Sequence, residues 1–93
     1  MRVLIAYGTN EGQTASIAER IAGRLRDGAH EVVVTDLGTE AIDPDGFDGV
    51  VVGASIHAGR FQGEVARWVG KHVEVLNARP SWFFSVSLSE AGV

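Results

Sequence analysis

Three short segments are apolar without interruption, and they restrict the folding choices of this chain more than any other feature. Val3-Leu4-Ile5-Ala6, Val32-Val33-Val34 and Val50-Val51-Val52 offer no polar face to water. A strand with one wet face alternates apolar with polar residues, so a solid apolar run must be covered on both sides. That burial belongs to a parallel sheet with helices on both faces. The intervening segments supply the helices. From Gln13 to Asp27 the apolar residues Ile17, Ala18, Ile21, Ala22 and Leu25 form one helical stripe, leaving Glu19, Arg20, Arg24 and Arg26 for solvent. Arg24 and Arg26 suit the negative end of the helix dipole, and Gly28 is placed to cap it. A second helix is predicted over 62–76, on the spacing of Val65, Trp68, Val69, His72, Val73 and Leu76, with Asn77 and Pro80 to stop it. Ser81 to Leu88, carrying Trp82, Phe83, Phe84 and Val86, reads as a fourth strand. Asp43-Pro44-Asp45-Gly46 is turn chemistry, and any helix between strands two and three has room for a turn or two.

The expected architecture is α/β, a doubly wound parallel sheet in strand order 2-1-3-4. At 93 residues, 45% of them hydrophobic and 22% charged, the chain has the composition of one small globular domain. A net charge of −4 with no basic stripe argues against nucleic acid as a partner. The absence of cysteine excludes disulfides, thiolate metal sites and cysteine nucleophiles. His30, His57 and His72 have no metal-ligand spacing, so no metal is expected. The first apolar run is too short for a signal-peptide core or a membrane span. The expected location is cytoplasmic, with peripheral contact at the inner face of the cell membrane left open. Sheets of this type usually have five strands, so the fifth strand and last helix are expected to be missing, and residues 1–93 to be the N-terminal part of a domain. Strand four, free of proline and charge, would then be an edge inviting self-association.

The loop after strand one, Tyr7-Gly8-Thr9-Asn10-Glu11-Gly12-Gln13-Thr14, packs two hydroxyls, an amide and two glycines before a helix start. Free backbone N–H groups and the positive end of the dipole make that position an anion site. Neither the dinucleotide fingerprint nor the triphosphate loop with its lysine is present, which favours a monophosphate. The plainer reading is an N-cap by Thr9 or Asn10. Thr9-Asn10-Glu11-Gly12-Gln13-Thr14 resembles the T-x-x-G-x-T phosphate loop of flavodoxins. That resemblance implies a flavodoxin-like fold and FMN as cofactor. It implies that Thr9, Asn10, Gly12, Gln13 and Thr14 hold the phosphate through hydroxyls and N–H groups, with Glu11 acting through its backbone.

After strand three, Gly53-Ala54-Ser55-Ile56-His57-Ala58-Gly59-Arg60-Phe61 is similar to the G-A-S-I-x-x-G loop of the menaquinone-dependent protoporphyrinogen oxidases. The likeness continues through Lys71-His72, Leu76-Asn77, Pro80-Ser81 and Phe84-Ser85-Val86. By implication Ala54, Ser55, Ile56, His57, Ala58 and Gly59, with Ser87, Leu88 and Ser89, line the isoalloxazine ring. The implied activity is an FMN-dependent oxidoreductase of haem synthesis, with protoporphyrinogen and a quinone as partners. A flavodoxin-type electron carrier and a domain without activity of its own stand beside it as alternatives. His57 is read either as a flavin contact or as a loop histidine without a role. His72 reads as a half-buried core histidine, and Trp68 and Trp82 as core packing. Arg60 is read as a solvated side chain or an attractor for an acidic substrate. No acid, base or nucleophile can be named, which suits chemistry carried by a cofactor.

Overall fold

A computed structural model describes residues 1–8, 12–57, 60–61 and 63–87. The order of elements is β1 (Arg2–Tyr7), α1 (Gln13–Asp27), β2 (Glu31–Asp36), β3 (Gly49–His57), β4 (Arg60–Phe61), α2 (Gly63–Lys71), α3 (Val73–Asn77) and β5 (Ser81–Ser87). Four strands are parallel. β1 lies between β2 and β3, and β5 flanks β3 on its other side, so the long strands run β2-β1-β3-β5, the expected 2-1-3-4.

The solid apolar runs divide between two cores as strand alternation requires. Leu4 and Ala6 of β1, with Val50, Val52 and Ala54 of β3, face Val65, Trp68 and Leu76 of α2 and α3. Val3, Ile5 and Val51 face Ala18 and Ala22 of α1. Leu4, Ile5, Val50 and Val65 are fully buried, and each stabilises the fold by about 1.5–3 kcal/mol. Trp68 anchors α2 to the β2–β3 connection, its Nε1–H donating to the Ile42 carbonyl at 3.0 Å. That connection is extended and turned around buried Pro44, and contains no helix.

Other expectations need correction. The predicted second helix is two helices, broken at His72, whose φ of −114° and ψ of 20° are not helical. Gly70, a weak helix former, sits just before the break, and the His72 ring rests on Trp68 with centroids 5.1 Å apart. At the end of α1, Gly28 is the cap as expected, its N–H donating to the Arg24 and Leu25 carbonyls, but the left-handed residue is Ala29, at φ 68°. Trp82 is not core packing, since 53% of it is exposed.

The exposure of Trp82 follows from how the sheet is covered. One helix about 10 Å across cannot shield four strands spaced about 4.8 Å apart. α1 therefore leaves a groove of about 390 Å³ between Ile21 and Leu25 on one side and Val51, Trp82 and Phe84 on the other. Phe84 fits closely there because its register partner is Gly53. A Cβ on Gly53 would stand 2.2 Å from the ring.

Candidate functional site

β1 stops pairing with β3 at Tyr7 and Gly53. Beyond it β3 continues through Ala54, Ser55, Ile56 and His57, so this segment overhangs the end of β1. β5 accompanies the overhang on one side as far as the Ile56–Ser87 pair. On the other side the chain turns back, and β4 pairs antiparallel, Phe61 with Ile56 and Arg60 with His57. Residues 54–57 are thus strand, where the sequence suggested loop. At the same end of the sheet the Leu37 N–H donates to the Tyr7 carbonyl at 2.7 Å, and the Gly8 N–H donates to the Gly53 carbonyl at 3.1 Å. The end of β1 is thus tied to both neighbouring strands, β2 and β3, where the strand order reverses. Such a reversal of strand order opens a crevice at the carboxyl ends of the strands.

α1 starts at that crevice. Its N-cap is Gly12, in the left-handed conformation at φ 82° and ψ −11°, and among the described residues no side chain caps it. The Gly12 carbonyl accepts from the Ser16 N–H at 3.0 Å, so the helix is closed from its first turn. The first-turn N–H groups have no acceptor within the helix, and the first turn of α1 carries no acidic residue. A Cβ built on Gly12 would meet nothing within 4 Å. The glycine is therefore required by its positive φ, and the space beside it is open. A helix start behind a left-handed glycine, with no acidic residue in its first turn, suits a phosphate, so the residues present fit the group the sequence implies. Gln13 is exposed there. Thr9, Asn10 and Glu11, together with Ala58, Gly59, Leu88 and Ser89, lie outside the described residues, as does any cap by Thr9 or Asn10.

The Thr14 hydroxyl is enclosed between α1 and β3. Thr14 is 0% exposed and Ser55 is 2% exposed. Their hydroxyl oxygens are 2.7 Å apart across the gap between α1 and the β3 overhang. Thr14, Ala18 and Ala22 are the buried residues of α1, one turn apart along the same face. That spacing was the available signal, because it extends the buried stripe by one turn onto a threonine. On β3, Ser55 shares a face with Val51, the face toward α1. Ala54 points into the opposite core and is fully buried, so only its backbone reaches the crevice. Ile56 is half-buried. His57 and Ser87 are placed by their strand pairings.

Tyr7, half-buried at the end of β1, has its phenol pushed above the usual value by burial first and then by the charges of Asp36 and Glu19. It stays a neutral hydroxyl near pH 7. Among the described residues no cluster of His, Asp or Glu could hold a metal ion. No helix among them is long and apolar enough to cross a membrane.

Comparison with known proteins places this geometry. A model of the flavodoxin domain family matches residues 4–92. Protoporphyrinogen IX dehydrogenase (quinone) of Escherichia coli strain K12 is 37% identical over 89 residues, which are 95% of this chain and 49% of that protein. The Leishmania major protein of the same name is 35% identical over 91 residues, covering 95% of this chain and 39% of its own length. The chain thus spans about half the length of the first of these relatives and less of the second. Among solved structures, Fusobacterium nucleatum flavodoxin bound to flavin mononucleotide superposes with a TM-score of 0.78 at 13% identity, over 97% of this chain and 54% of that one. Oxidised Flavodoxin 1 from Bacillus cereus gives 0.68 at 16% identity, over 98% and 88%. At such identities the structural likeness speaks to the fold alone.

Proposed function

The chain belongs to the flavodoxin domain family, and from that membership we propose that it binds FMN at the C-terminal end of its sheet. Residues 1–93 are read as the N-terminal part of a flavodoxin-like domain whose activity is that of a quinone-dependent protoporphyrinogen oxidoreductase. The observation that carries this reading is the start of α1: a left-handed Gly12 with room at its Cβ position, followed by a first turn without an acidic residue. The names of the relatives at 37% and 35% identity support the reaction class. They favour it over a pure electron carrier, whose support here comes from structures at 13% and 16% identity.

The backbone N–H groups of Gln13 and Thr14 would hold the phosphate, with the helix dipole favouring its charge. Thr9, Asn10, Glu11 and Gly12 complete that loop in this reading. The ring would lie along residues 54–59 and the segment Ser87-Leu88-Ser89, where backbone of the β3 overhang is available to it. Bound FMN would supply the hydride and electron chemistry. What the chain contributes is orientation: a fixed anchor at one end and a strand-built shelf at the other. Protoporphyrinogen as reductant and a quinone as oxidant are proposed for the whole protein, with membrane contact limited to meeting the quinone.

Titration of FMN with the protein tests the reading through quenching of flavin fluorescence. Gly12→Val should weaken binding by roughly tenfold, since a β-branched residue resists the left-handed conformation by about 1–2 kcal/mol. Unquenched flavin at high protein concentration would refute the proposal.

A further inference from the structure

The groove beside α1 has a definite chemistry as well as a shape. Ile21 and Leu25 form one wall, and Val51, Trp82 and Phe84 form the floor and the other side. The α1 wall continues past Ile21 into a second hollow lined by Ile17, Arg20 and Arg24. Arg26, on the opposite flank of the helix, donates instead to the Val32 carbonyl of β2. α1 therefore turns an apolar line topped by two exposed arginines toward β5. Among the described residues no ion pair engages either arginine. The facing strand, β5 over Ser81–Ser87, carries no charge. His30 also lines the groove, and its buried Nδ1 has no hydrogen-bond partner among the described residues.

Helices pack side by side at about 8–10 Å, which is the width left over β3 and β5 next to α1. Resting on the reading of residues 1–93 as the N-terminal part of a domain, we propose that the groove seats an amphipathic helix from the remainder of that domain. Its apolar stripe faces Val51, Trp82 and Phe84, and acidic residues border the stripe on the side of Arg20 and Arg24. The relatives at 37% and 35% identity carry half or more of their length outside the matched part, which leaves ample chain for it. A second copy has no such helix to offer, because α1 and α2 already bury their apolar faces against their own sheet. A lipid surface fits poorly, because the floor lies at the bottom of a concavity one helix wide. Hydrocarbon would also leave the His30 nitrogen unpartnered, whereas a helix brings side chains that can reach it.

The probe is a synthetic helix of about 18 residues, roughly 27 Å long, with leucine along one stripe and glutamate along one border of it. A counterpart carries lysine at the border positions. Trp82 reports occupancy, since it is 53% exposed while Trp68 is buried, and Trp82→Phe supplies the control. Binding should move the Trp82 emission to shorter wavelength, and the glutamate peptide should bind about tenfold more tightly than the lysine one. The net charge of −4 favours the lysine peptide, so the opposite order reports the local arginines. Arg20→Glu with Arg24→Glu, both at exposed positions, should reverse the preference and leave the thermal transition in place. The full-length Escherichia coli relative, its groove filled by its own helix, should not bind the glutamate peptide. Equal binding of the two peptides, or binding of neither, overturns the proposal. Displacement of the glutamate peptide by anionic vesicles, or by rising concentration of the chain itself, would assign the groove to lipid or to a second copy and overturn it. Tight binding of the glutamate peptide by the full-length relative would overturn the assigned source. None of these readouts involves flavin, so failure of the cofactor reading is told apart from failure of this one.

Discussion

Gly53→Ala adds one methyl group at a position where the structure leaves no room for it. The new Cβ would lie 2.2, 2.5 and 2.8 Å from three atoms of the Phe84 ring, and these are its three nearest neighbours. Strand pairing holds Gly53 between Tyr7 and Phe84, so the backbone cannot retreat without opening the sheet. The ring must leave instead. Phe84 is half-buried and packs with the α1-side core. Expelling it re-exposes about 100 Å² of apolar surface, which at about 25 cal/mol per Å² costs about 2.5 kcal/mol. Retaining it by shifting the sheet costs about 1–3 kcal/mol of overpacking, so about 2 kcal/mol is lost by either route. For a chain of this size that lowers Tm by roughly 8–16 °C. The assay is a double-mutant cycle with Phe84→Ala by denaturant unfolding, at one fixed protein concentration. With the ring gone the added methyl should cost under about 0.5 kcal/mol, giving a coupling of about 1.5–2 kcal/mol. Equal costs in the two backgrounds would show that the contact between Gly53 and Phe84 is not what requires glycine.

Ala29→Gly should stabilise the fold by about 1 kcal/mol in the same assay, because alanine is strained at φ 68° and glycine is not. The raised phenol of Tyr7 means the folded chain holds that proton more tightly than the unfolded one. Its contribution is complete below about pH 10 and is lost as pH rises through the higher folded value, so Tyr7→Phe should flatten the alkaline limb of a stability–pH profile. The 93-residue chain should associate with increasing concentration in sedimentation, because β5 carries no charge or proline and exposes 53% of Trp82 and 54% of Phe83. Phe83→Lys with Trp82→Lys should shift it toward monomer, and an unchanged sedimentation profile would refute that role of β5.

The sheet was legible because Val3 to Ala6 and Val50 to Val52 have only one way to hide both faces. Their division between two cores needed no more than strand alternation. The break at His72 was not legible, since Val73 and Leu76 continue the helical spacing across it and the ring contact with Trp68 is tertiary. Trp82 misled for a related reason: residue type reports a preference for burial, while actual burial depends on what covers the strand. In the site, the left-handed Gly12 could be anticipated from a glycine preceding a helix. The Thr14–Ser55 contact could not. The buried stripe of α1 shows that Thr14 turns inward, but no local signal pairs it with a serine 41 residues away. The extension of β3 to His57 was hidden similarly, because its partners in β4 and β5 lie later in the chain.

The central claim is that the start of α1 is a phosphate anchor for a flavin. The measurement that tests it most directly is the affinity of the wild-type chain for FMN against riboflavin under identical salt and pH. Charge-assisted hydrogen bonds from the first turn of α1 to the phosphate should be worth about 1.5–3 kcal/mol, so FMN should bind roughly 10- to 100-fold more tightly. Equal affinity for the two flavins would contradict the account, because the start of α1 would then take no part in binding.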